Sequence, residues 1–192
     1  MILNNLLIFS ALGAVGLMFV TSDWRMRIAG LASLYLIGFV VILQIWPVAL
    51  ASVKLISGWM GIALLSTSML NSMNQANNHR FTSEMVYRFL MAVLIWIVIA
   101  AIAPSINEWL PIPYTNLYIG LSLMGSGLLF MSLTDDFSEI VLGLLTILVG
   151  FDIIYSSLEG SALVTGIYAF IIILICLLNV YFSSAVSDRE EE

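Results

Sequence analysis

The sequence predicts an all-α integral membrane bundle of about seven transmembrane helices, with the N-terminus outside and the C-terminus cytoplasmic. Three observations predict it. Hydrophobic residues fill 61% of the 192 positions and charged residues 9%, against roughly 45–50% and roughly 25% in an average soluble domain. Mean hydropathy is +1.09, and a chain of this size has no means of shielding that much apolar surface from water, so lipid must be part of its solvent. The apolar residues also fall into runs near the ~20 residues a helix needs to cross the hydrocarbon core. No strand alternation competes with them, and backbone groups in lipid must be satisfied within their own segment, which leaves helices.

The first span is expected over residues 2–20, closed by Thr21-Ser22-Asp23-Trp24-Arg25-Met26-Arg27. It is apolar from Met1 onward and lacks the basic stretch of a secretory signal, so it is expected to be retained. The second covers 28–46 and stops at Pro47; the third covers 48–70. The amide-rich segment 71–80, with His79 and Arg80, has no apolar periodicity and is expected to be the longest loop. Thr82-Ser83-Glu84 start a helix that continues as the fourth span, 86–103, which Pro104 is expected to end. Trp109, Pro111, Pro113 and Tyr114 then suit an interfacial loop over 105–115. The fifth span is 116–133, followed by the charged turn 134–139; the sixth is 140–157, followed by a turn at 158–161; the seventh is 162–182. The chain reads as one membrane domain over 1–192: four helices in 1–103, a three-helix unit in 116–182 and a solvated acidic tail at 183–192.

Charge placement sets the orientation. With seven crossings, Arg25, Arg27, His79, Arg80, Arg88 and Arg189 fall on one side and Lys54 toward the other, which makes the first side cytoplasmic. The formal net charge of −6, without a basic patch, argues against a nucleic-acid partner. One cysteine, Cys176, and one histidine, His79, offer no metal spacing and no haem or iron–sulfur ligation. No cofactor is expected. Cys176 reads as packing and His79 as a surface residue. There is no Ser/His/Asp or Cys/His set and no phosphate-cradling loop, so no active site for a free-standing enzyme is evident.

Ionisable groups within a bilayer are costly and are functional candidates by default. Asp152 lies among apolar residues well inside the sixth span, and Tyr155, Ser156 and Glu159 follow at intervals of three, four and seven, which share a helix face. That stripe leads from Asp152 to the outer surface, and a carboxyl held away from water is suited to reversible protonation. Lys54 lies six residues inside the third span and Asp152 six residues inside the sixth, both about 9 Å deep at ~1.5 Å per residue. Matched depth would let them form a buried ion pair or a proton-exchange couple. The alternatives are a Lys54 that snorkels to the headgroups and an Asp152 that holds a neighbouring helix without titrating. Glu159 on its own also reads as a solvated loop residue. Gln44 and Asn179, near span ends, are expected to bond between helices. Gly120, Gly125, Gly127, Gly143 and Gly150 permit close helix contact, and Gly143 and Gly150 share the face opposite Asp152.

The run Gly120-Leu121, Gly127-Leu128-Leu129, Leu142-Gly143-Leu144 and Leu148-Val149-Gly150-Phe151-Asp152-Ile153-Ile154 resembles a three-helix membrane unit, the K subunit of respiratory complex I, also found as the C subunit of Mrp-type sodium/proton antiporters. The resemblance covers 116–182, about a third of the chain. The layout of four helices followed by three is similar to the E component of membrane-bound, formate-hydrogenlyase-type hydrogenases. Departures are specific. The family's middle-helix acid is usually glutamate where this chain has Asp152, its third helix often carries a second glutamate where 162–182 has no acid, and its commonly basic turn is here Asp135-Asp136.

The resemblance implies an accessory membrane subunit of a multisubunit redox or antiporter complex that translocates protons or sodium ions. Asp152 would sit on the proton path with Tyr155, Ser156, Glu159 and Lys54, and the chain would be a non-catalytic subunit of an oxidoreductase complex. Expected partners are larger, antiporter-like membrane subunits and lipids, in a prokaryotic plasma (inner) membrane. Two other readings remain open: a structural or lipid- or pigment-binding subunit with no ion path, and a small stand-alone transporter.

Overall fold

A computed structural model describes residues 2–21, 23–72 and 82–190. Seven helices and no strand occur among them: α1 (Ile2–Val20), α2 (Trp24–Ile42), α3 (Val48–Ser72), α4 (Thr82–Trp109), α5 (Tyr114–Ser132), α6 (Phe137–Leu158) and α7 (Ala162–Glu190). Five of them, α2, α3, α4, α6 and α7, are long and apolar enough to cross a membrane. The chain is therefore an all-helical membrane protein. His79 and Arg80 lie outside the described residues.

Three boundaries differ from the sequence expectation, each for a local reason. The stretch expected to be a turn after α1 instead opens α2. Asp23 takes the N-cap position and accepts a hydrogen bond from the Arg25 backbone N–H, so the helix starts at Trp24 and carries Arg27 in its first turn. Asp136 does the same for α6 through the Ser138 N–H, which puts Glu139 in that helix's first turn and out of the expected charged turn. Pro104 does not end the fourth span; α4 runs through it to Trp109. One proline costs one backbone bond, and an apolar helix packed against neighbours tolerates it. The loop expected over 105–115 shrinks to 110–113. At the other end of the chain, α7 stays helical to Glu190, through most of the segment expected as an acidic tail.

Small residues bring the helices together. Gly120 and Gly127 of α5 meet Gly150 and Gly143 of antiparallel α6, where a Cβ on any of the four would fall within 3.0 Å of the partner's backbone. Gly58 of α3 lies under the ring of Tyr35 from α2, and Gly61 of α3 lies against Ile172 and Cys176 of α7. Fully buried Leu31, Leu34, Leu65, Leu142, Leu145 and Ile172 fill the space between. The glycine face of α6 is thus spent on α5, and its opposite face, with Asp152, turns to α2 and α3. The outward surfaces of α4 and α7 are apolar, with Ile97, Leu163 and Phe170 each more than 60% exposed, as surfaces in contact with lipid or another membrane protein must be.

Candidate functional site

Lys54 of α3 and Asp152 of α6 meet in the interior. The Lys54 Nζ donates to Asp152 Oδ1 at 2.5 Å and to Ser156 Oγ at 2.8 Å, and the two residues are 4% and 6% exposed. The third direction of the ammonium faces the Trp46 ring, 4.2 Å from its centroid, a cation–π contact. Ser156 in turn donates to the Asp152 backbone carbonyl at 2.5 Å. Trp46 is fixed by its indole N–H, which donates to the Ser156 carbonyl at 2.9 Å. Ser156 and Trp46 are therefore themselves held. The snorkelling alternative for Lys54 fails, because its charged end turns inward onto the acid.

The glycine seam explains why this pair forms. Gly150 locks against the backbone of α5, and two residues on, about 200° around the helix, Asp152 must face away from that seam. Tyr35 packing on Gly58 brings α2 against α3 one turn from Lys54, and α3 presents the lysine at the level counted from the sequence.

Of the residues placed on the Asp152 stripe, only Ser156 joins the pair. Tyr155 turns outward, stacks on Phe151 with ring centroids 6.0 Å apart and donates to Glu159 at 3.3 Å. Glu159 leaves the stripe because α6 ends at Leu158 and Glu159 has extended backbone, φ −146° and ψ 138°, so the seven-residue helical relation to Asp152 does not hold. Two spaces adjoin the pair. One is a cavity with ≈ 10 Å³ open to water centres, walled by Tyr35, Gly38, Lys54, Val149, Asp152 and Tyr168 among others, enough for about one water. The other is an open pocket of ≈ 290 Å³ at the mouth, bounded by Trp46, Pro47, Ser156, Ser157, Glu159 and Gly160. Trp46 and Ser156 form the wall between the pocket and the ion pair. Trp46→Phe, which keeps a ring over Lys54 but deletes the bond to the Ser156 carbonyl, is expected to lower stability by about 1 kcal/mol, measurable by denaturant unfolding in bicelles.

A second buried ion pair, absent from the sequence reading, closes the other end of the bundle. Arg27 of α2 donates to Glu139 of α6. Arg27 Nε also donates to the Thr21 carbonyl at 2.8 Å, its guanidinium lies 5.3 Å from the Phe130 ring centroid, and the second Glu139 oxygen accepts from Thr134 Oγ1 at 2.6 Å. Nearby, Arg88 of α4 donates to the Leu133 carbonyl at the C-terminus of α5, 2.6 Å away, a favourable place for a cation. Ser138 links α6 to Asn179 of α7 at 3.3 Å and lies 3.4 Å from Ser68 of α3. Asn179 thus makes the interhelical bond expected of it, whereas Gln44 sits exposed in the turn after α2. Glu139 and Asp152 are thirteen positions apart on α6, about 20 Å at ~1.5 Å per residue, so α6 carries one buried acid near each end. The only sequence signals for the second pair are the two capping aspartates, which place Arg27 and Glu139 inside helices.

Among the described residues no three His, Cys, Asp or Glu side chains converge as metal ligands. Comparison with protein-family models, with curated proteins and with solved structures returns no match to this chain.

Proposed function

We propose that this chain is an accessory membrane subunit of a multisubunit complex that translocates protons or sodium ions, with Asp152 as the protonatable group and Lys54 as its charge partner. The observation that carries the reading is the buried Lys54–Asp152 pair, set between a water-sized cavity and an open pocket. An acid and a base in direct contact, each with hydrogen-bonding neighbours, can exchange a proton when the local field changes. Ser156 is the link toward the pocket, and Glu159, with Tyr155 on it, stands at the pocket's rim.

In this reading all seven helices span the membrane. The 19 residues of α1 and of α5 reach about 28 Å at ~1.5 Å per residue, close to the ~30 Å hydrocarbon core. Of the polar residues that lower the hydropathy of α5, Asn116, Ser122 and Ser126 are buried inside the bundle. Arg25, Arg27 and Arg88 fall at the end opposite Lys54, which supports a cytoplasmic position for that end and an N-terminus outside. The resemblance of 116–182 to the complex I K subunit supports larger antiporter-like subunits as partners, docked on the apolar outer faces, in a prokaryotic inner membrane.

The test is Asp152→Asn in the native complex. The isosteric amide can still accept from Lys54, so the complex should assemble while ion translocation falls severalfold. Unchanged translocation would remove Asp152 from the path. It would favour a structural subunit, a reading supported by how completely the two ion pairs brace α6 to α2 and α3.

A further inference from the structure

Tyr35 and Tyr168 are 5% and 6% exposed, and their hydroxyls are buried with no hydrogen-bond partner among the described residues. Both rings wall the small cavity beside Asp152 and Lys54. A phenol hydroxyl out of water without a partner is costly, and such groups are normally paired with protein or with an internal water. The cavity has ≈ 10 Å³ open to water centres, about what one water needs, and a buried water is held by two to four polar partners. The carboxylate can accept further bonds, since Asp152 Oδ1 takes the Lys54 bond and an ionised carboxylate offers about four acceptor sites.

We infer that this cavity is a binding site for a single internal water, which joins the hydroxyls of Tyr35 and Tyr168 to the carboxylate of Asp152. A metal cation of similar size is disfavoured, because the Lys54 ammonium lies in the same wall. The water extends the hydrogen-bonded set away from Trp46 and the open pocket, to the phenols of α2 and α7. The site does not depend on whether the complex moves ions, and its test reads no transport.

The test uses the full chain in lipid nanodiscs and infrared difference spectra between ordinary and ¹⁸O-labelled water. The wild type should show an ¹⁸O-sensitive O–H stretch that shifts or disappears in Tyr35→Phe and in Tyr168→Phe. These variants keep both rings, so the packing of Tyr35 on Gly58 is retained. Gly38→Ala attacks the same site from the wall. Its added methyl meets only Val149 at 3.4 Å and Ile153 at 3.9 Å or beyond, so it narrows the cavity without a clash and should abolish the band. Spectra in which no ¹⁸O-sensitive band responds to either tyrosine would overturn the inference. So would a rise in thermal stability of the Tyr35→Phe, Tyr168→Phe double variant, since deleting two orphaned hydroxyls relieves a penalty that water-bonded ones do not carry.

Discussion

Asp152→Leu in the purified chain is expected to lower unfolding stability by about 3–5 kcal/mol, because it leaves the Lys54 ammonium buried without a counter-charge. Lys54→Met is expected to cost a similar amount by stranding the carboxylate. Combining Lys54→Met with Asp152→Leu removes both charges together, and the double variant is expected to lie within about 1 kcal/mol of wild type or above it, since exchanging a buried pair for apolar side chains is often neutral or stabilising. The two single effects should therefore fail to add by several kcal/mol. That non-additivity is the signature of a direct contact, here one of 2.5 Å between groups 4% and 6% exposed. Denaturant titration of the four proteins in bicelles measures it. Single variants that cost under about 0.5 kcal/mol, the range of exposed pairs, would mean that Lys54 and Asp152 reach water.

Gly127→Ala and Gly150→Ala should each destabilise the bundle, although alanine is the better helix former. At Gly150 the new Cβ would fall 2.5 Å from the Gly120 carbonyl oxygen and 2.9 Å from the Met124 nitrogen; at Gly127 it would fall 2.6 Å from the Gly143 carbonyl oxygen. These are backbone atoms, so relief requires α5 and α6 to separate. Overpacking costs about 1–3 kcal/mol or more, against about 1 kcal/mol gained in helix propensity. Loss should win, and the double variant should lose more. Gly13→Ala and Gly166→Ala are the controls: a Cβ there meets nothing within 4 Å, so only the propensity gain remains. The seam matters beyond stability, because it fixes the rotation of α6 and hence the direction in which Asp152 points.

Much of this architecture is legible in the residues themselves. Apolar runs near membrane length mark all seven helices, and equal counts from the span ends put Lys54 and Asp152 at one level. The spacing of Gly143 and Gly150 puts the packing seam opposite the acid. What the sequence conceals has physical causes. Arg27 and Glu139 are 112 positions apart, and each sits just inside a helix whose start depends on a capping aspartate, so a hydropathy reading assigns both to turns. Trp46, Tyr35 and Tyr168 look like ordinary membrane aromatics until the fold sets them around one ammonium and one cavity. Glu159 satisfies the helical spacing on paper, but the helix ends one residue before it.

In the function proposed above, Asp152 carries a proton for ion movement, beyond bracing α6. Ion translocation by the native complex carrying Lys54→Met together with Asp152→Leu is the test, since that pair of changes retains the fold while removing the acid and the amine of the buried pair. Assembly at wild-type levels with translocation abolished is the expected result. Assembly with translocation at wild-type rates would contradict it and leave the pair as a brace.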